Sequence, residues 1–401
     1  MYSPLSPPGD RKKLPLTPKF FNSKLFIFIA LIFTVFIFIE TRSANEIPVN
    51  FEPKEIPKIY QEPVVTTTEG AEIAPKIVKT TRIPQHKLNP YRGYSGPKHE
   101  LDDVEWETDS PRVNEISKIV QEQIYAAPRC EDSDSEPSES GSQIAKSAMR
   151  GFQECVKPIF DSFNGEFKNL FDNWVNSARK CDFIDEYKSL DIRGISNRDE
   201  LKWLIYPKCQ EQNHHVTLGV GHDVKAETKL KKHQPNTKFY GVDPMIEINY
   251  ELIINDLNGS FFAFALSNET KLQYFPVLPA RSRYAPQSVV TLDVGYFFEK
   301  LLILKKIDTL FLDIESGEEY FFDYFAKGGK FDEIGMTICQ FNVEFHPGYT
   351  NNYKAYYKFL EQTIKDKRYI FLRPAHHNPG YFKMYFLNLE SKECVRKFIG
   401  S

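Results

Sequence analysis

Two glycines and an acid follow successive apolar runs and form a pattern that could bind a ligand. Gly219 and Gly221 follow the run VTL, and closely spaced glycines allow a tight turn that brings the backbone near a ligand. Asp243 follows the next run, FYGV, where an acid can bind the ribose hydroxyls of an adenosine-containing cofactor. Val224 stands where a dinucleotide fingerprint has its third glycine, so the pattern favours S-adenosylmethionine, which has no pyrophosphate. A glycine pair alone would also fit a tight loop without a ligand.

Charged residues at the ends of two later apolar runs could catalyse a transfer reaction. Asp313 and Glu315 end the run DTLFLDIE, and Glu344 and His346 end the run that precedes a Pro-Gly turn. Methyl transfer to a hydroxyl needs an aligned acceptor and a base that removes its proton. His346 is the candidate base, because the usual imidazole pKa of about 6.5 leaves a neutral ring available. Asp313 or Glu315 would orient it or accept the proton; alternatively, these residues only cap the following helix and precede a turn.

Cysteine usage indicates disulfides rather than a metal site. The six cysteines show no CxxC or Cys/His spacing, and in an oxidising compartment they would form up to three disulfides in one of 15 pairings. The histidine doublets at 214–215 and 376–377 are interpreted as loop residues, and no metal is expected. Two glycosylation sequons begin at Asn258 and Asn268 and agree with lumenal exposure.

Apolar runs that alternate with amphipathic segments predict an α/β fold over residues 211–401. The expected architecture is a Rossmann-like, mostly parallel sheet with helices on both faces. YIFLRP and KMYFLNLE lie close together around Asn378-Pro379-Gly380, which indicates a terminal antiparallel hairpin. Residues 144–210 are predicted to form a helical N-terminal part of this domain, including a helix that begins near Ser196.

An apolar run from Leu25 to Ile39 predicts a single membrane anchor over residues 24–40. A cleaved signal peptide is the alternative, but no small-residue cleavage pair follows the run. Five Lys or Arg residues precede the run and three follow it at a similar distance, which predicts a cytosolic N-terminus and a lumenal body. Residues 1–23 are expected to be a disordered cytosolic tail, and residues 41–143 a largely disordered stem. The predicted location is a type II membrane protein of the Golgi or endoplasmic reticulum.

The region from about residue 210 to 390 resembles the FkbM-type methyltransferases, which depend on S-adenosylmethionine and have a Rossmann-like fold. The resemblance is carried by VTLGVGHD, FYGVDP, FFAFALSNE, TLDV and IDTLFLDIESGEE. It implies S-adenosylmethionine as cofactor, with cofactor contacts at the residues Gly219, Gly221, Asp243, Ala265 and Leu266.

One residue departs from the pattern of these methyltransferases. They usually carry an acid two residues before the first glycine, and Thr217 stands there in this sequence. Asp223 could replace that acid and is therefore a further candidate for cofactor binding.

The leading hypothesis is a membrane-anchored O-methyltransferase that acts on a hydroxyl of a glycan, glycoconjugate or small molecule in the secretory lumen. Nucleic acid is not expected as a partner, because the net charge is −3 and no basic field accumulates. A type II glycosyltransferase shares the same order of tail, anchor, stem and domain, and Asp313-Ile314-Glu315 could imitate its metal-binding motif. A non-catalytic binding module with the methyltransferase fold is the third possibility.

Overall fold

A computed structural model of the chain describes residues 118, 127–130, 135–198, 200–279, 284–315, 317–378 and 381–400. The predicted tail, the anchor at residues 24–40 and most of the stem lie outside this part. Among the described residues, no helix is both long and apolar enough to cross a bilayer.

Helices form the N-terminal part of the described domain and then alternate with strands. From residue 135 onward, the helices of the described part are α1 (Glu139–Gly151), α2 (Lys157–Ser162), α3 (Phe167–Ala178), α4 (Lys225–His233), α5 (Ile246–Glu251), α6 (Val294–Tyr296), α7 (Phe322–Phe325), α8 (Lys330–Glu333), α9 (Pro347–Thr350), α10 (Tyr353–Asp366) and α11 (Lys392–Phe398). The helix α1 begins at Glu139, where the Ser138 hydroxyl accepts the N–H of Gly141, five residues before the predicted start of the domain. π-helical turns continue three of these helices: Phe152–Val156 after α1, Leu252–Asp256 after α5 and Phe297–Leu302 after α6.

The described residues form the strands β1 (Ile192–Ser196), β2 (Leu201–Ile205), β3 (Asn213–Leu218), β4 (Thr237–Val242), β5 (Ser260–Phe262), β6 (Ala265–Ser267), β7 (Lys271–Val277), β8 (Ala285–Asp293), β9 (Lys306–Leu312), β10 (Thr337–Phe345), β11 (Tyr369–Asn378) and β12 (Tyr381–Asn388). These strands form three sheets, of which a seven-stranded sheet is the largest. Its order is β11-β12-β10-β9-β3-β4-β5; β1 pairs with β2, and β6, β8 and β7 form a third sheet in that order.

The central sheet is mostly parallel, as predicted. β10, β9, β3, β4 and β5 are parallel to their neighbours, whereas β12 is antiparallel to both β10 and β11. The sheet therefore ends in the antiparallel hairpin that the sequence indicated. Chain order reverses between β3 and β9, and ligands of open α/β sheets bind at the carboxyl ends of strands beside such a switch point.

Apolar side chains cover both faces of the central sheet. Along β9, Leu310 and Leu312 belong to one buried cluster, while Phe311 belongs to a second cluster with Val220, Leu230 and other residues. Successive side chains of a strand point to opposite faces, so the two clusters lie on opposite sides of the sheet. This arrangement explains why the strands read as continuous apolar runs rather than as alternating ones.

The segment 192–205 forms an antiparallel β-hairpin, β1–β2, and corrects the helix that was predicted from Ser196. Every residue of β2 is buried. The N–H groups of Trp203 and Ile205 donate to the side chains of Asn342 and Gln340 on β10, at 2.7 and 2.8 Å. These tertiary hydrogen bonds override a local capping pattern, which is a weaker determinant than burial.

All six cysteines lie in the described part and form three disulfides. The pairs are Cys130–Cys209, Cys155–Cys181 and Cys339–Cys394, with Cα–Cα distances of 4.8, 5.8 and 5.2 Å. The third pair joins β10 to α11 across a fully buried site. The expectation of disulfides rather than a cysteine metal site is confirmed.

Candidate functional site

The glycine loop after β3 passes against the loop that follows β9. Gly219 has φ +83°, and a Cβ there would lie 1.8 Å from the carbonyl oxygen of Asp313. Gly221 has φ +60°, and a Cβ there would meet no atom within 4 Å. Both positions need the left-handed backbone that glycine adopts without strain. Gly219 therefore permits close packing of the two loops, while Gly221 leaves open space beside them.

Asp243, at the end of β4, holds the glycine loop in place. Its Oδ2 accepts the N–H groups of Val220 and Gly221 at 3.0 and 3.3 Å, and its Oδ1 accepts the N–H of Met245 at 2.8 Å. Burial raises the pKa of Asp243 above its usual value, against the effect of these three donors. The predicted ribose acid thus lies at the site and also braces the loop.

A cavity of about 330 Å³ opens at the carboxyl ends of the central strands, within the size range of small-molecule sites. It is lined by every residue that the sequence analysis selected, from both the glycine pattern and the acidic pattern. Those residues are Gly219, Gly221, Asp223, Asp243, Ala265, Leu266, Asp313, Glu315 and His346. The structure therefore brings together residues that are up to 127 positions apart in the chain.

His346 lies between four carboxylates. Its Nδ1 is 2.8 Å from Oε1 of the fully buried Glu318, and its Nε2 is 3.4 Å from both Glu315 and Glu344 and 3.8 Å from Asp313. The ligand atoms of Asp313, Glu315 and His346 lie within 4.8 Å of one another, and this trio could hold a divalent cation. Glu315 has φ +54°, a backbone strain of the kind that concentrates at functional sites.

This surrounding charge sets the protonation of His346 and Asp313. Burial lowers the pKa of His346, but the Glu318 and Glu344 carboxylates outweigh it and raise that pKa well above its usual value. Burial and the neighbouring Glu344 raise the pKa of Asp313 well above the usual range. At neutral pH the imidazole is therefore protonated, and the carboxylate of Asp313 has increased proton affinity.

The charged residues of the cavity that were not identified from the sequence include two lysines and the acid that they share. Lys202 on β2 is buried and lies 2.5 Å from Glu200, while Lys383 on β12 pairs with Glu200 and lies 2.8 Å from Glu344. The only local signal was a lysine within the apolar run LKWLI, which had been assigned to a helix. Buried lysines require paired acids, so these contacts are needed to keep both ammonium groups charged.

Three hydrogen-bonded side chains on β3 and α4 lie around Thr217, the position at which these methyltransferases usually carry an acid. His215 Nε2 lies 3.0 Å from Thr217 Oγ1, and Thr217 donates to Oε1 of Glu227 at 2.8 Å. Both histidine doublets lie on strands rather than in loops, 214–215 on β3 and 376–377 on β11. Burial lowers the pKa of His215 to about 3. The carboxylate of Asp223 instead accepts the N–H groups of Arg198 and Lys225. Glu227 is thus the acid that accompanies Thr217.

Comparison with known sequences assigns this domain. The sequence model of the Methyltransferase FkbM domain matches residues 155–371, more than half of the chain. The chain belongs to the FkbM methyltransferase family. S-adenosylmethionine is accordingly its cofactor, as the resemblance implied.

Individual relatives are distant. An uncharacterised protein of Caenorhabditis elegans is 27% identical over 95 residues, which span 24% of this chain and 32% of that protein. Among solved structures, a putative caffeoyl-CoA O-methyltransferase from Staphylococcus aureus has 8% identity and a TM-score of 0.26, over 44% of this chain and 76% of its own. Aeropyrum pernix fibrillarin, solved with bound S-adenosyl-L-methionine, has 12% identity and a TM-score of 0.25, over 44% and 67%.

The residues of the cavity fit this cofactor. Gly221 leaves room beside the loop, buried Ala265 and Leu266 offer an apolar wall, and Asp243 lies at the end of the neighbouring strand. Among the described residues, Oε2 of the buried Glu227 has no hydrogen-bond partner. Gly219, Gly221 and Asp243 would hold the nucleoside part, with Ala265 and Leu266 beside the adenine.

Proposed function

We propose that this chain is a membrane-anchored methyltransferase that O-methylates a hydroxyl of a glycan or glycoconjugate in the lumen of the secretory pathway. The main supporting observation is the position of Asp313 directly beside the glycine loop. Its backbone N–H donates to the carbonyl of Leu218 at 2.9 Å, and its side chain lines the same cavity as Gly219 and Gly221. A proton acceptor therefore adjoins the cofactor loop.

When bound, S-adenosylmethionine supplies an electrophilic methyl group on a sulfonium sulfur. The remaining task of the protein is to place an acceptor hydroxyl in line and to take its proton. Asp313 suits the second role, because burial and the neighbouring Glu344 raise its pKa and make its carboxylate a stronger base than an exposed one. A hydroxyl within hydrogen-bonding distance of Asp313 would lose its proton to that carboxylate as the new C–O bond forms.

The role of His346 differs from the one predicted. A protonated imidazole cannot act as the base, so His346 would instead hold the surrounding carboxylates in position. Tyr356 supports this arrangement, because its hydroxyl donates to the second oxygen of Glu318 at 2.9 Å. Glu315 accepts a hydrogen bond from Tyr284 at the cavity and offers a further polar contact for an acceptor.

Three features support a lumenal domain. Disulfides persist in oxidising compartments, and all six cysteines are paired. The sequon residues Asn258 and Asn268 are both exposed and could accept glycans. The apolar run at 25–39, with more positive charge before it than after it, would place the N-terminus in the cytosol. Glycan hydroxyls are abundant acceptors on the lumenal side.

Three experiments on the full chain test the parts of this proposal. Isothermal titration with S-adenosylmethionine should give one binding site; no binding at millimolar concentration would contradict a methyltransferase. Manganese-dependent binding of a nucleotide-sugar would instead favour the glycosyltransferase alternative, through Asp313, Glu315 and His346. For the location, an N-glycosidase should reduce the mass of the cell-expressed chain, and the Asn258→Gln, Asn268→Gln variant should lack that shift.

A further inference from the structure

The structure places a buried acid, Glu227, where it can recognise an ammonium group of a ligand in the cavity. Glu227 is 1% exposed and lines the cavity together with Gly219 and Gly221. Its Oε1 accepts the hydroxyl of Thr217, whereas Oε2 has no hydrogen-bond partner among the described residues. Burying a carboxylate oxygen without a hydrogen-bond donor is unfavourable in free energy. Such an oxygen in a binding cavity is therefore suited to accept a hydrogen bond from a ligand.

The neighbouring polar groups have other partners. His215 Nε2 lies within hydrogen-bonding distance of Thr217 and 4.0 Å from Oε1 of Glu227, the oxygen that already accepts the Thr217 hydroxyl. Lys202 forms its ion pair with Glu200. Burial raises the pKa of Glu227 to about 7, against the hydrogen bonds from the Thr217 hydroxyl and from its own backbone N–H and the charge of Lys202. These groups therefore stabilise the carboxylate only in part.

We infer that Glu227 binds the α-ammonium group of the amino-acid part of S-adenosylmethionine, in place of the acid that the family pattern would have at Thr217. This inference rests on the proposed function. The cofactor has two positive groups, but only the ammonium carries N–H donors that an acceptor oxygen can use; the sulfonium has none. Glu227 reaches the cavity from α4, and Thr217 on β3 fixes its carboxylate. Glu227 is therefore a specificity-determining residue for the amino-acid part of the ligand.

The test compares two ligands that differ in that part alone. S-adenosylhomocysteine carries the amino acid, whereas 5′-methylthioadenosine retains the nucleoside thioether without it. In calorimetric titrations of the full chain, Glu227→Gln should weaken S-adenosylhomocysteine binding at least tenfold and leave methylthioadenosine binding within twofold. Asp182→Asn, which removes another buried acid outside the cavity, is the matched control and should change neither affinity.

A second variant separates recognition from folding. Thr217→Asp combined with Glu227→Gln returns the acid to the strand position and should restore S-adenosylhomocysteine affinity to within about threefold of wild type. Unchanged affinity in Glu227→Gln, an equal loss for both ligands, or no recovery in the double variant would each overturn the inference while the proposed function stands. If the wild-type chain binds neither ligand, both the proposed function and this inference are wrong.

Discussion

At the scale of single residues, Asp313 carries the proposed proton transfer. Asp313→Asn should lower kcat by about 10²- to 10⁴-fold, the usual range for loss of a general base, while S-adenosylhomocysteine affinity changes little. The wild-type rate should rise with pH through the raised pKa of Asp313, because only the carboxylate accepts a proton. Measuring kcat against pH, with binding by calorimetry, checks both. A variant with wild-type kcat would exclude Asp313 as the base.

The buried carboxylate of Glu227, which we propose recognises the ligand, should lower the free energy of unfolding at high pH. Its folded-state pKa of about 7 exceeds the usual 4.5, chiefly through burial, with Lys202 opposing and Asp223 adding to the shift. The folded state binds the proton of Glu227 more tightly than the unfolded state does, so the resulting stabilisation is fully present below pH 4.5 and is lost as the pH rises through 7. By pH 8 the loss corresponds to about 3 kcal/mol in the free energy of unfolding. Glu227→Gln should therefore raise the free energy of unfolding at pH 8 relative to wild type, and urea denaturation at pH 4.5 and 8 measures it. A stability difference that is independent of pH would contradict the assignment.

Residues with a local signal were predictable, and those positioned by tertiary packing were not. Gly219, Gly221 and Asp243 directly follow apolar runs, so their place at strand ends could be inferred from the sequence. Glu227 lies within an unremarkable charged helix, and it reaches the cavity only because α4 packs beside β3. The protonation of His346 likewise depends on Glu318, 28 positions earlier in the chain. Glu318 belongs to the stretch IDTLFLDIESGEE, but nothing in the sequence pattern indicated its contact with His346.

At the scale of elements, the contact between the β3 and β9 loops should tolerate no side chain at Gly219. Gly219→Ala would place a Cβ 1.8 Å from the Asp313 carbonyl oxygen, whereas Gly165 has nearly the same φ, +81°, and no atom within 4 Å. Both alanine variants carry the left-handed backbone penalty of about 1–2 kcal/mol, so their difference isolates the clash. Thermal unfolding should show a clearly larger loss for Gly219→Ala, together with lost cofactor binding. Equal losses would show that the loops separate easily.

The element types were predictable wherever a run was long and regular. The strand-to-helix succession β3–α4–β4–α5 and the final hairpin β11–β12 follow from apolar runs and turn residues. β2 was assigned to a helix because Ser196 and Asp199 imitate a capping box in the sequence. The pairing of β2 with β1, and the hydrogen bonds between its backbone and side chains of β10, have no local signature. FFAFALS is one continuous apolar run in the sequence, but it divides between β5 and β6, which belong to different sheets.

At the scale of the whole molecule, the disulfides should contribute strongly to stability. Cys339 and Cys394 are 55 residues apart, and the chain-entropy model gives about 4 kcal/mol for a loop of that length. Replacing both with alanine should lower the free energy of unfolding by roughly this amount. Denaturation with and without reductant measures the loss, and the wild-type protein should react with no thiol reagent when unfolded without reductant. Free thiols in the protein expressed in cells would contradict the pairing and weaken the proposal of a lumenal domain.

Methyl transfer to a hydroxyl acceptor is the central claim, and it can be measured directly. The full chain in detergent micelles is incubated with S-adenosylmethionine labelled on its methyl group and a panel of oligosaccharides, and mass spectrometry locates the label. Wild type should place the label on a sugar oxygen, and Asp313→Asn should reduce the yield at least about 100-fold. A chain that binds S-adenosylhomocysteine but transfers no methyl group to any hydroxyl would instead be a non-catalytic binding module.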